Sequence, residues 1–294
     1  LKILLLGATG LLGRHLQAEL TAPGHDVHAF THAEADITDA ARLGELFSEP
    51  WEAVVNCAAI VNLDACENDP ESTGRTNLDA PLDLARRCHS AGALFVQFSS
   101  DYIFHGTERH LHTEQASAEP LSVYGRQKLA LERQIPGLCP RSLILRLSWL
   151  YGKGGRTFMS SIPQILASKP ELRIASGKTG SCLWAKDAAH WIRLLLESNS
   201  TGLFNLVNSG ETSWEEFART CLDRMQALGL ATACHEVIET PYLDLGAHGA
   251  KRPKHSALDP SKLSAHSTPG PRHWRDALDD YLLELKSDGT LRTA

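Results

Sequence analysis

Five apolar-rich residues, KILLL at 2–6, run straight into GATGLLG at 7–13, and an amphipathic stretch at 11–20 follows without a break. A short buried strand that turns on glycines into a helix is the opening of a parallel βαβ unit, and few folds accept it. The pattern then repeats. Strands are expected at 27–30, 53–57, 94–98 and 142–147, with helices at 40–47, 77–89 and 124–133 between them. Alternating strands and helices imply a parallel sheet, and right-handed crossovers on both faces make it doubly wound. The expected fold class is therefore α/β, a doubly wound parallel sheet of Rossmann type with a smaller C-terminal substrate-binding lobe. Residues 1–150 form the dinucleotide-binding domain in this reading. Residues 151–294 form mainly the lobe, with later segments able to return to the sheet. Helices near 158–167, 185–197 and 214–228, a strand near 203–206 and a Pro, His and Gly-rich stretch at 241–271 make up this second portion.

Gly7, Thr9, Gly10, Leu11, Leu12 and Gly13 form the turn from strand to helix. Glycines let the backbone approach a diphosphate, and the amides and positive dipole end of the helix attract it. The second strand ends in Ala29-Phe30-Thr31-His32, without the acid that grips a ribose 2′-hydroxyl. With Arg14 and His32 nearby, the balance leans toward a 2′-phosphate and NADPH, with NADH still open. Arg14 also reads as an ordinary solvated residue of the first turn.

Charge and cysteines narrow the partners. A formal net charge of −6 argues against a surface that follows nucleic acid phosphates or an anionic membrane. No apolar run approaches a membrane span, and the expected location is cytoplasmic. Cys57, Cys66, Cys88, Cys139, Cys182, Cys221 and Cys234 are scattered, so neither a disulfide framework nor a zinc site follows. His105, His110, His112 and Glu114 are read as a solvated loop in preference to a metal site.

Phe98-Ser99-Ser100-Asp101-Tyr102 closes the fourth strand, and Tyr124-Gly125-Arg126-Gln127-Lys128 opens a later helix. Tyr124 and Lys128 stand at i and i+4, on one helical face. A phenol titrates near ~10 in water, and an adjacent ammonium draws it toward working pH, which makes Tyr124 a general acid or base. Ser100, at a strand's carboxyl end, is placed to donate to a carbonyl oxygen that gains charge.

Glycine loop, Ser, Tyr and Lys in this order resemble the extended short-chain dehydrogenase/reductase superfamily. More specifically, the chain resembles the dTDP-4-dehydrorhamnose reductase family of nucleotide-sugar reductases over nearly its whole length. The resemblance is carried by ILLLGATGLLG (3–13), Asp36-Ile37, VVNCAA (54–59), FSSDYIFHG (98–106), PLSVYGRQKLALE (120–132), LRLSWLYG (145–152), NLVNSGETSWEEFA (205–218) and KRPKHSALDPSKL (251–263). It implies hydride delivery from NADPH to C4 of a dTDP-linked 4-keto-6-deoxyhexose. Gly10, Leu11 and Leu12 would line the diphosphate, and Asp36 and Ile37 would meet the adenine. Ala58, Ala59, Ile60 and Val61, with Phe98, would flank the nicotinamide-ribose side. Tyr124 would supply the proton, Lys128 would hold the ribose, and Ser100, Asp101 and Trp149 would meet the sugar.

Departures limit what carries over. Cys182-Leu183 stands where the family has a Pro-Thr pair, and His15 stands where some relatives place an acid that binds metal at a dimer interface. No metal is therefore carried over, and a homodimer stays open. The basic stretch Lys251, Arg252 and Lys254 reads equally as a diphosphate contact and as a solvated loop. Three other activities remain as alternatives: a 4-epimerase with the same Tyr and Lys, a 4,6-dehydratase, disfavoured because Asp101 stands alone, and a non-catalytic subunit like the regulatory subunit of methionine adenosyltransferase.

Overall fold

The computed structural model describes residues 1–241, 249–266 and 269–293. Its first half alternates β1 (Lys2–Leu6), α1 (Leu11–Thr21), β2 (Asp26–Phe30), α2 (Ala40–Leu46) and β3 (Ala53–Asn56). Next come two short helices, α3 (Leu63–Asn68) and α4 (Pro70–Gly74), and a π-helical turn (Arg75–Asp79) that joins α4 to α5 (Ala80–Ala91). β4 (Leu94–Ser100), α6 (Val123–Leu138) and β5 (Ser142–Leu147) complete the expected alternation. Six strands lie side by side and parallel in the order β10-β5-β4-β3-β1-β2, where β10 (Gly202–Asn205) comes from far along the chain. The order reverses beside β1, and ligands of such sheets bind outside the carboxyl ends at that switch point.

Side chains alternate across each strand, so the two faces bury different residues. Ile3, Leu5, Val55, Val96 and Leu145 pack on one face against Leu12 and Leu16 of α1 and Ile192 and Leu195 of α8 (Ala185–Glu197). Leu4, Val54, Phe95 and Ile144 pack on the other against Leu43 of α2, Leu84 and Cys88 of α5, and Leu131 and Ile135 of α6. Helix α6 continues past its expected end at 133 through Pro136, because a proline in the final turn removes only one late hydrogen bond.

After β5 the chain leaves the sheet through β6 (Leu150–Tyr151), α7 (Phe158–Ser168), β7 (Glu171–Ala175), β8 (Thr179–Gly180) and β9 (Leu183–Trp184). It returns through α8 and β10 and departs again through β11 (Thr212–Ser213), α9 (Trp214–Ala227), β12 (Glu236–Thr240), α10 (Ser261–Ser264) and α11 (Trp274–Ser287). Ile162, Leu166, Phe217, Met225, Trp274 and Tyr281 form the separate core of this smaller lobe. Strands β7 and β12 pair in parallel beside it. The short helices α3 and α4 and the last helix α11 lie beyond the sequence expectation. Of the stretch 241–271, residues 242–248 and 267–268 fall outside the described residues.

Among the described residues no helix is long and apolar enough to cross a membrane. All seven cysteines are free thiols, six of them buried. A Cβ added to Gly13 would lie 2.3 Å from the Gly7 carbonyl oxygen and 2.9 Å from the Ala8 Cα, so α1 meets the strand end too closely for any side chain. Gly13→Ala is expected to cost about 1–3 kcal/mol through forced backbone movement. A urea midpoint equal to that of the parent chain would show that the loop yields instead.

Candidate active site

The glycine loop lies at the carboxyl end of β1. Gly10 caps α1 without any side-chain hydrogen bond, and Thr9 and Gly10 are exposed, so the first-turn amides face outward from the positive end of the helix. Arg14 folds back onto the loop, donating from Nη2 to the Thr9 carbonyl at 2.7 Å and from Nε to that of Gly10 at 3.4 Å. Leu11 is half-buried, and Leu12 is inside the core. Asp36 accepts from the Thr38 amide at 2.9 Å and hydroxyl at 2.8 Å, which holds its carboxylate below the usual range, while the Ile37 side chain is buried. A glycine-rich turn at the start of a helix suits a dinucleotide diphosphate, so the residues present fit a nicotinamide dinucleotide.

Beside the loop runs segment 58–61, with Ala58, Ala59 and Ile60 half-buried and Val61 exposed. Four buried amide side chains hold this segment. The Asn56 carbonyl accepts from the Ala58 amide at 3.1 Å, and Asn56 Nδ2 donates to Gln97 at 2.9 Å. Asn77, in the π turn, accepts from the Ile60 amide at 2.8 Å, donates to the Ile60 carbonyl at 2.9 Å and donates to Gln127 at 3.0 Å. None of the four is among the residues expected from sequence. Asn56 and Gln97 were signalled by an uncharged polar residue inside an apolar run, VVNC and FVQFSS, since a buried amide needs partners, whereas Asn77 and Gln127 stand in the polar stretches GRTNLD and GRQK and carry no such signal.

Ser100 ends β4 and leads into a 3-10 turn (Asp101–Ile103). Its hydroxyl donates to Asp101 Oδ1 at 3.1 Å and accepts from the Tyr102 amide at 3.2 Å. Helix α6 starts against this turn because Gly125 has no side chain: a Cβ there would stand 2.2 Å from the Tyr102 carbonyl oxygen. Ser122 caps the helix by accepting from the Gly125 amide at 3.1 Å, and Glu67 accepts from the Val123 amide at 2.7 Å. Ser100, Asp101, Tyr124 and Lys128 are thereby brought together, all buried, near Phe98.

The electrostatics correct one expectation. Burial, then the charge of Asp101, raises the Tyr124 phenol above its ordinary value, with Ser100 pulling the other way. The expected lowering by Lys128 is not found. Lys128 is itself 2% exposed and is pushed down by burial to about 8. Its ammonium donates to the Phe98 carbonyl at 3.1 Å and lies 5.6 Å from the Tyr124 ring centre. Desolvation outweighs a cation at that range, and Tyr124 is held as a phenol. Burial likewise raises Asp101 to about 6, against the Ser256, Ser148 and Ser100 hydroxyls.

The smaller lobe supplies the facing wall. Trp149 has a positive φ of 32°, a strained conformation for a bulky side chain, and its ring rests on Gly180 and tilts toward Trp214 at 5.7 Å. Lys178, buried just before β8, lies 5.6 Å from the Trp214 ring centre and feels the charges of Arg252 and Asp101. Lys178 and Trp214 were not expected here; a lysine and a tryptophan in the weakly patterned second half give no positional signal. Arg252 donates to the Ala250 carbonyl at 3.1 Å and approaches Asp64 at 3.9 Å, while Lys251 and Lys254 are exposed. Cys182 and Leu183 are buried in the two cores. His15 bonds the Leu11 carbonyl at 2.8 Å.

The solvated loop expected around His105 to Glu114 is corrected in part. Residues 107–111 are exposed, but His112 is buried, stacks on Phe104 at 4.0 Å and bridges to Leu258, and Glu114 accepts from the Asn205 amide at 2.8 Å. Phe104 nearby, the segment around His255 and Leu258, and Asn205 of β10 pack around it, and the last two contacts are not visible in the local sequence. Among the described residues no group of three or more His, Cys, Asp or Glu is arranged to hold a metal ion.

This arrangement has known counterparts. The chain is 34% identical over 284 residues to a dTDP-4-dehydrorhamnose reductase of Streptomyces griseus, covering 94% of this chain and 91% of that one. A crystal structure of a dTDP-4-dehydrorhamnose reductase from Clostridium acetobutylicum superposes with a TM-score of 0.89 at 30% identity, over 97% of this chain and 99% of that one. Another, from Bacillus anthracis in complex with NADP, gives 0.88 at 26% identity, over 96% and 98%. Residues 1–287 match the family described as RmlD substrate binding domain, and the chain belongs to that family.

Proposed function

We propose that the chain reduces the 4-keto group of a dTDP-linked 6-deoxyhexose in nucleotide-sugar biosynthesis, with NADPH preferred over NADH, in the cytoplasm. The sheet domain, completed by residues 185–205, holds the cofactor at Gly7 to Arg14, Asp36, Ile37, Ala58 to Val61 and Phe98, and the smaller lobe closes over the sugar. When bound, the reduced nicotinamide supplies the hydride. Tyr124 gives its phenolic proton to the oxygen at C4. Ser100 donates a hydrogen bond to the same oxygen as charge develops on it. Lys128 grips the nicotinamide ribose, and Asp101 and Trp149 contact the sugar.

One observation carries this reading. Tyr124 stands beside Ser100 and Lys128 at the ligand end of the sheet and is held protonated there. An acid in that place suits reduction of a carbonyl. The names of the relatives point to the same chemistry.

An anaerobic panel of 4-keto nucleotide sugars, offered with NADPH and with NADH and followed at the nicotinamide absorbance, tests it. Net oxidation of NADPH by a dTDP-linked keto sugar is the expected result, and it separates a reductase from an epimerase, which returns its hydride. No oxidation with any substrate and either cofactor would sink the proposal.

A further inference from the structure

The acid that β2 lacks in sequence is supplied from outside the strand. Glu34 turns back toward the strand end, where its Oε2 accepts from the Thr31 amide at 2.9 Å. The Phe30 carbonyl beside it accepts from the Gly7 and Ala8 amides at 3.0 Å each, so the glycine turn and this carboxylate share the carboxyl end of β2. In units of this kind an acid at the end of the second strand takes the 2′-hydroxyl of the adenosine ribose. We propose that Glu34 takes that role and sets how the chain divides its affinity between NADH and NADPH. The inference rests on the cofactor binding proposed above and deepens it, and it requires nothing of the sugar.

The local sequence delivers the carboxylate. Thr31-His32-Ala33-Glu34 makes a tight turn in which the Thr31 carbonyl accepts from the Glu34 amide at 3.2 Å and from the Ala35 amide at 3.0 Å, while the Glu34 side chain answers the Thr31 amide. Ala35 and Ile37 are buried in the same core as Leu4 and Leu43, which fixes the turn against β2. Glu34 itself is exposed. A carboxylate has lone pairs for more than one donor, so the bond to Thr31 leaves capacity for a ribose hydroxyl. The Thr31 amide also holds this carboxyl below its usual range, which keeps it ionised at working pH.

Charge then separates the two cofactors. The ionised carboxylate accepts from a 2′-hydroxyl but repels a 2′-phosphate. Arg42 of α2 works against that repulsion. It donates from Nε to the Glu34 carbonyl at 2.9 Å and from Nη1 to Glu45 at 2.7 Å, and its guanidinium lies 5.8 Å from the Phe30 ring centre, at the same strand end. Arg14 instead bonds the Thr9 and Gly10 carbonyls of the glycine turn. A cation and an anion at one strand end admit both cofactors, and Glu34 keeps the preference for NADPH small.

Glu34→Gln keeps an acceptor for the Thr31 amide and removes the charge. Calorimetric titration of the purified chain with NADPH and with NADH should show the ratio of the two affinities moving toward NADPH by about five- to tenfold at low salt. The shift should shrink as ionic strength rises, because the charge is exposed. Adenosine 2′,5′-bisphosphate and 5′-AMP, which differ only in the 2′-phosphate, should repeat the shift without a nicotinamide ring. An unchanged ratio would overturn the proposal. Equal weakening of both cofactors would also overturn it, since a glutamate that only caps its turn would act on both alike. Failure of the parent to bind either cofactor would overturn this inference and the reduction reading together. Binding with the expected shift, but no reduction of any keto sugar, would defeat the reduction reading alone.

Discussion

Tyr124→Phe is expected to slow steady reduction of the keto sugar by about 10²–10⁴-fold, the usual worth of a positioned general acid. The substitution removes one hydroxyl from a buried ring and leaves its packing against Tyr102, Cys66 and Ala250 in place. Affinity for NADPH, measured by calorimetric titration, should therefore stay close to that of the parent. The loss should fall on kcat more than on KM, because the proton is given up only as the carbonyl oxygen becomes an alkoxide. Equal turnover in the variant would remove Tyr124 from the mechanism. Loss of cofactor binding together with turnover would show that the phenol positions the cofactor instead.

Glu132→Ala should produce the largest loss of stability. Glu132 stands on α6 at the same i+4 spacing that links Tyr124 to Lys128, one repeat further on. Its two oxygens take Nε of Arg146 at 2.9 Å and Nη2 at 2.8 Å, with the side chains 4% and 5% exposed. The remaining Nη1 donates to the Thr113 and Glu114 carbonyls at 3.3 Å each, and the guanidinium lies 5.2 Å from the Phe104 ring centre. Removing the carboxylate leaves a buried cation without its counter-charge, which costs about 3–5 kcal/mol. In a chain of this size the melting temperature should fall on the order of 10 °C. The paired change Glu132→Leu with Arg146→Met should recover most of that loss, since a buried ion pair can be replaced by apolar packing. A loss below about 1 kcal/mol, the scale of an exposed pair, would show that the interior there relaxes or admits water.

Much of the sheet was legible because its evidence is local. A parallel strand covered on both faces is a short apolar run, and LLLG, AVVN and LFVQF each announce one with its turn. The Tyr124 and Lys128 pair was legible for the same reason, as four residues on a helix is a short-range geometry. Helix α11 carries equally regular spacing, at Trp274, Ala277, Leu278, Tyr281, Leu282 and Leu285, yet lies outside the sequence expectation. Helices α3 and α4 are another matter. At six and five residues they have little periodicity to read, and only their caps, Asn62 and Asp69, mark them.

By itself, the sequence determined the layers, the glycine turn against the first helix, and the order Ser100, Tyr124, Lys128 along successive crossovers. These follow from hydrophobic period and backbone sterics, which act between near neighbours. Only the tertiary structure decided the electrostatic state of those residues. An isolated helix would let Lys128 lower the Tyr124 phenol. The folded site instead buries both, turns Lys128 to the Phe98 carbonyl and sets Asp101 alongside. It also brought Lys178, Trp214 and Ser256 from the smaller lobe to face the strand ends, and gave Arg146 its partner on α6. Burial and charge depend on residues far apart in the chain, and no local pattern records which of them will meet.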